Sequence, residues 1–224
     1  MERTPIIIVN VKTYLESTGP KALAMAKLMG SLAAETKASL VIAVQPSDIT
    51  SCVSQGRLPV YAQHIDPMPP GSNTGWILPE AVKAAGATGT LINHSEHRLR
   101  LADIDACITR AAAVGLTTVV CTNNVATSRA AAGLMPSMIA VEPPELIGGD
   151  ISVTTADPRI VSDTVKAVRA IAPAVKVLCG AGVKNGEDVA AARRLGADGV
   201  LLASGVVKAK NQEQVLRDLI AGLV

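Results

Sequence analysis

Four places in the chain set reactive or very small side chains directly after apolar runs. The first is Ile6-Ile7-Ile8-Val9-Asn10-Val11-Lys12. Residues two apart on a strand project to one face, so the Asn10 amide and the Lys12 ammonium are expected side by side. A lysine closing so apolar a run needs a partner, an anionic ligand, or an escape to solvent along its own methylenes. The second place is Thr90-Leu91-Ile92-Asn93-His94-Ser95-Glu96-His97. Asn93 or Ser95 is placed to cap a short helix whose amides would face the His94 imidazole and disfavour its charged form. His64 and His97 compete for the same role, although His97 is expected inside that helix. The third is Ile139-Ala140-Val141-Glu142, followed at once by Pro143-Pro144 and, farther on, Gly148-Gly149. A carboxylate ending such a run is partly desolvated, which suits a general base. Prolines at one end and glycines at the other are how a stiff lid would be hinged. The fourth is a pair of loops, Gly180-Ala181-Gly182 and Ala203-Ser204-Gly205. Small residues let backbone amides close on a phosphate.

These groups need a scaffold that gathers strand ends. Eight β-like runs recur: Ile6–Val11, Ser39–Val44, Pro59–Gln63, Thr88–Ile92, Thr117–Cys121, Ser137–Val141, Val175–Cys179 and Gly199–Leu202. They are continuously apolar rather than alternating, as parallel strands covered on both faces must be. Helical stretches separate them: Lys21–Thr36, Pro79–Ala85, Asp103–Val114, Pro158–Ala172, Glu187–Leu195 and Glu213–Leu223. Only short helices are expected after the second and fifth strands. Eight β–α units in 224 residues favour a closed (β/α)8 barrel over an open sheet. Every reactive group named above then falls at the end of the barrel where active sites are built, with the two small-residue loops after strands seven and eight.

Composition narrows the functions. The net charge of +2 is too small for a nucleic-acid footprint. Tyr14, Tyr61 and Trp76 are the only aromatic residues, so no stacking platform for single strands exists. At 49% hydrophobic and 18% charged residues the chain can bury a large core. No apolar run reaches the roughly 18 residues of a membrane span. The opening Met1-Glu2-Arg3-Thr4-Pro5 carries no signal-peptide pattern, and Cys52, Cys107, Cys121 and Cys179 are scattered without a CxxC pair. Buried free thiols in a reducing cytoplasm are expected.

Taken together, Asn10-x-Lys12, Asn93-His94-Ser95-Glu96, Val141-Glu142-Pro143-Pro144, Gly180-x-Gly182 and Ala203-Ser204-Gly205 resemble the triosephosphate isomerase family in its short archaeal form. The lid Pro143-Pro144-Glu145-Leu146-Ile147-Gly148-Gly149 lacks the tryptophan of bacterial and eukaryotic members. The resemblance implies a single (β/α)8 TIM barrel over residues 1–224. It also implies interconversion of dihydroxyacetone phosphate and glyceraldehyde 3-phosphate without metal or organic cofactor. It assigns Glu142 as base, His94 as proton shuttle, Lys12 and Asn10 as substrate contacts, and Glu96 as the partner of Lys12. Ile147, Gly182, Ala203 and Ser204 would hold the phosphate. The loop 66–76 would dock into a second copy, with Thr74 beside the partner's Lys12, making a homo-oligomer in which a tetramer is favoured over a dimer. Two competing readings remain: a phosphate-binding barrel of tryptophan or thiamine biosynthesis, which would share the glycine loops, and a barrel without catalysis serving as a scaffold. Neither requires the lysine, histidine and glutamate together.

Overall fold

The structure, a computed structural model, describes residues 5–143 and 153–224, apart from the side chains of residues 153 and 155. Strands β1 (Ile6–Asn10), β2 (Ser39–Val44), β3 (Val60–Ala62), β4 (Gly89–Ile92), β5 (Thr117–Thr122), β6 (Met138–Val141), β7 (Lys176–Gly180) and β8 (Gly199–Leu202) pair in parallel in chain order. β8 returns to β1, with Ile8 opposite both Val41 and Leu201, and the barrel is closed. The expected architecture is present.

The continuous apolar runs have a simple cause. Alternate residues such as Ile6, Ile8, Val41, Ala43, Leu91, Val119 and Leu201 fill the barrel interior. Their neighbours Ile7, Val9, Leu40, Ile42, Val120 and Val200 pack outward against the helices. Both faces are dry, so most positions are apolar, with Asn10, Thr90, Thr118 and Thr122 as buried polar exceptions, and a fully buried Val, Leu or Ile contributes about 1.5–3 kcal/mol. Tyr61 is the single aromatic side chain among the interior residues. It fits because Gly89 on the adjacent strand has no side chain: a Cβ there would sit 2.6 Å from the Tyr61 ring.

The outer layer comprises α1 (Pro20–Thr36), α2 (Ile49–Gly56), α3 (Pro79–Ala84), α4 (Leu101–Ala113), α5 (Val125–Ala132), α6 (Val153–Ala156), α7 (Pro158–Ile171), α8 (Gly186–Arg194), α9 (Ser204–Val207) and α10 (Gln212–Ala221). The helices after β2 and β5 are short, eight residues each. α1 shows why its ends fall where they do. Pro20 opens it, and Lys37 closes it in the left-handed conformation while donating its N–H to the Ala33 carbonyl at 3.0 Å.

Two expectations need correction. β1 stops at Asn10, so Lys12 is not on a strand and its direction is not set by alternation; it sits in a turn at φ +50°. The short helix expected directly at His94–His97 is not there either: residues 94–97 form a turn closed by the His97 N–H on the His94 carbonyl at 2.8 Å, His97 lies in that turn, and the next helix starts at Leu101. Among the described residues no helix is long and apolar enough to cross a membrane. All four cysteines are free and buried.

Candidate active site

The carboxyl ends of the strands deliver the reactive groups to one cavity, which Asn10, Lys12, His94 and Glu142 line together with Gly182, Ala203 and Ser204. Asn10 follows Ile6 and Ile8 on the inward face of β1 and is 4% exposed. Its Oδ1 accepts the Lys12 N–H at 3.0 Å, and Gln63 Nε2 donates to the Lys12 carbonyl at 2.9 Å. A left-handed lysine is uncommon and is held here from both sides of its peptide. The Lys12 ammonium reaches Glu96 Oε1 at 2.9 Å. Asn10 and Lys12 thus line one cavity, the Asn10 side chain bonding the lysine's backbone N–H and not its ammonium.

His94 sits one residue beyond Asn93, which is itself left-handed at φ +61°. The Glu96 N–H donates to His94 Nδ1 at 3.2 Å, so a backbone amide does face the imidazole without a helix behind it. With Nδ1 accepting, the ring proton lies on Nε2. That nitrogen is 3.8 Å from Glu142 Oε1, beyond hydrogen-bond reach, so the acid and the imidazole are neighbours without being spent on each other. Glu96 Oε2 lies 3.5 Å from Nδ1, but with Nδ1 already an acceptor the carboxylate has no proton to meet there, so its bond is to the lysine alone.

Glu142 continues the inward series of Met138 and Ala140, and its N–H donates to the Thr122 carbonyl at 2.7 Å. It is 6% exposed, and its Oε2 meets no hydrogen-bond partner among the described residues. Cys121 lies beside it. Burial first, and the nearby Glu142 carboxylate second, hold that thiol well above its usual pKa. Gly180 provides the space over which Glu142 lies, since a Cβ on Gly180 would collide with the Glu142 side chain. Sequence reading credited Gly180 to the phosphate loop and missed this role, because glycine spacing does not show which neighbour needs the room. It also missed Tyr14 and Lys184, which line the same cavity.

Ala181 and Gly182 are successive left-handed residues, at φ +70° and +72°, which turns the β7–α8 loop toward the mouth. Ser204 opens α9 across from it. Ile147 and the rest of the lid sequence beyond Pro143 lie outside the described residues. The competing histidines are elsewhere. His64 stacks on His97 with ring centroids 4.1 Å apart and bonds Asp66 Oδ1 at 3.1 Å. Both line a neighbouring recess, which Lys12 and Glu96 share.

A buried carboxylate facing an imidazole, beside a lysine and opposite two small-residue loops at the mouth of a (β/α)8 barrel, defines an enzyme built for proton transfer on an anionic substrate. The triosephosphate isomerase family model matches residues 5–221. Similar curated proteins include the triosephosphate isomerase of Methanocaldococcus jannaschii, 55% identical over 96% of this chain and 98% of that protein. Those of Methanobacterium bryantii and Methanoculleus marisnigri are 52% and 54% identical, over 99% and 97% of this chain and 98% of each. The chain belongs to the triosephosphate isomerase family, and the relatives are isomerases from archaea. The tryptophan- or thiamine-pathway barrel and the catalytically silent scaffold lose their ground with it.

Proposed function

We propose that the chain interconverts dihydroxyacetone phosphate and D-glyceraldehyde 3-phosphate, with Glu142 as the base that moves the proton between the two carbons. The observation that carries this is the Glu142–His94 pair, 3.8 Å apart, with one carboxylate oxygen buried and unpartnered among the described residues. Glu142 takes the proton from the carbon beside the carbonyl and returns it to the neighbouring carbon. The Nε2 proton of His94 polarises the carbonyl and is exchanged between the two oxygens of the enediolate. Lys12 opposes the negative charge that develops there, and Asn10 donates a further hydrogen bond. These donors are fixed before substrate arrives, so little reorganisation opposes the reaction. Gly182, Ala203 and Ser204 are assigned to the phosphate because they share the cavity with the acid and the imidazole. Ile147 is assigned there on resemblance alone.

The assembly reading rests on the loop 66–76. Its base is tied by Asp66, whose N–H donates to the Ile77 carbonyl at 2.9 Å and whose Oδ2 accepts the Ile77 N–H at 2.6 Å. Thr74 and Trp76 stand exposed beyond it. A tied, protruding loop suits insertion into a second copy, in a homo-tetramer ahead of a dimer. The buried free thiols suit a reducing cytoplasm, and the barrel is read as one domain over residues 1–224.

Glu142→Asp tests the assignment. Withdrawing the carboxylate by about 1 Å is expected to lower kcat roughly 100-fold, with an unchanged circular dichroism spectrum, in a coupled assay with glyceraldehyde 3-phosphate. Near-normal turnover would remove Glu142 from the role of base.

A further inference from the structure

Asn93 is doubly unusual. It adopts φ +61° without being glycine, and it is 5% exposed although no residue of its kind is needed to fill an apolar core. Asparagine tolerates the left-handed region better than most residues but still at a cost relative to glycine. Its side chain uses both ends. Nδ2 donates to the Cys121 carbonyl on β5 at 2.9 Å, and Oδ1 accepts the Leu99 N–H at 2.9 Å. Its own carbonyl accepts from Arg98 Nη1 at 2.9 Å.

The partner on β5 is informative. The Cys121 carbonyl holds Asn93, and the next carbonyl along the same strand, Thr122, holds the Glu142 N–H at 2.7 Å. Consecutive carbonyls of one buried strand therefore anchor the residue that precedes His94 and the backbone of Glu142 itself. His94 is attached to Asn93 by a single peptide, and its ring has one further tether, the Glu96 N–H. Freedom at Asn93 is thus freedom of His94 relative to Glu142.

We infer that Asn93 is a positioning residue for the isomerisation, using β5 as a ruler that sets the spacing between the His94 imidazole and the Glu142 carboxylate. This rests on the proposed isomerase reading. A glycine would satisfy the backbone conformation alone, so the asparagine side chain is there for its two hydrogen bonds.

Asn93→Gly separates the two functions, because it keeps the left-handed conformation and deletes both side-chain bonds. The expected result is a folded protein with kcat lowered roughly 10- to 100-fold and KM within about threefold of the parent, since the phosphate loops are untouched. Nitrogen-15 NMR of the His94 ring should show the single Nε2–H tautomer in the parent and averaging of the two in the variant. A residue that only stabilises the fold predicts a lower Tm with unchanged kcat and unchanged ring signals. A kcat within about twofold of the parent would overturn the inference. If Asn93→Gly does not fold, Asn93→Asp, which keeps an acceptor for Leu99 and loses the donor to Cys121, is judged by the same readings. Failure of both to fold makes Asn93 a folding residue and also overturns it. An inactive parent would sink the isomerase reading instead, and the ring signals would still decide whether Asn93 orients His94.

Discussion

Gly180 lies under the Glu142 side chain so closely that even a methyl group on it would displace the carboxylate. A residue on β7 thus sets the height of an acid carried by the end of β6. Gly180 has no left-handed backbone to protect, so Gly180→Ala should fold and remain stable to within about 1 kcal/mol once Glu142 has moved aside. Because about 1 Å of misplacement costs on the order of 100-fold, kcat should fall that far. Steady-state kinetics beside thermal melts checks this; full activity in a folded Gly180→Ala protein would show that Glu142 need not sit where it does.

Lys12 and Glu96 form a pair with one end in the cavity and the other in water, 12% and 59% exposed at their side chains. Half-exposed pairs contribute little to stability, about 0–1 kcal/mol. Glu96→Gln should therefore melt within a few degrees of the parent and lose activity only modestly. Lys12→Met removes the charge proposed to oppose the enediolate, and by analogy with other oxyanion donors kcat should fall roughly 100- to 1,000-fold. Equal kinetic losses in the two variants would place the effect in the pair rather than in the ammonium.

His64 carries a pH signature of its own. Burial lowers its pKa below the ordinary 6.5, with the Asp66 bond opposing and His97 adding to the shift. The unfolded chain therefore binds a proton at His64 more readily than the folded one. Its contribution to stability is intact above the unfolded pKa and is lost as the pH falls from there through the folded value. Melting temperatures from pH 7.5 downward should decline more steeply in the parent than in His64→Asn; parallel curves would show that His64 is not a source of the acid sensitivity.

Burial raises the thiols of Cys52, Cys107 and Cys179 to about 11, 12 and 12, and Cys121 moves in the same direction. Thiolate is the reactive form. Iodoacetamide at pH 8 should leave the native protein unmodified and alkylate all four cysteines in denaturant, as intact-mass spectrometry would read. A singly labelled native species would identify a thiol that breathes open faster than the barrel unfolds.

The eight strands are legible in the chain because a doubly covered strand is built mostly from apolar residues. Their boundaries are less so. Val11 continues the apolar run yet lies beyond β1, because the chain turns left-handed at Lys12, and nothing in a lysine announces that conformation. Asn93 is obscured in the same way, reading as a helix cap, because its partners on β5 and in the approach to α4 are brought together by the fold alone. His94 and Glu142 stand out in the chain because burying a polar side chain at the end of an apolar strand is costly unless it has a ligand to meet. The short α6 and α9 went unread, since four residues carry too little periodicity to register.

Trp76 and Tyr61 place optical reporters at the edge and the centre of this protein, beside Tyr14 at the mouth of the cavity. The lone indole is 56% exposed on the loop 66–76, while the Tyr61 phenol is sealed in the barrel. Tryptophan emission will therefore follow that loop more than the core, shifting to the blue if a second copy covers it as proposed and changing little when an isolated barrel melts. Near-ultraviolet circular dichroism, where Tyr61 is held against Gly89, will follow the interior. Recorded together during dilution, the two signals would separate dissociation of the proposed oligomer from loss of the barrel without any added label.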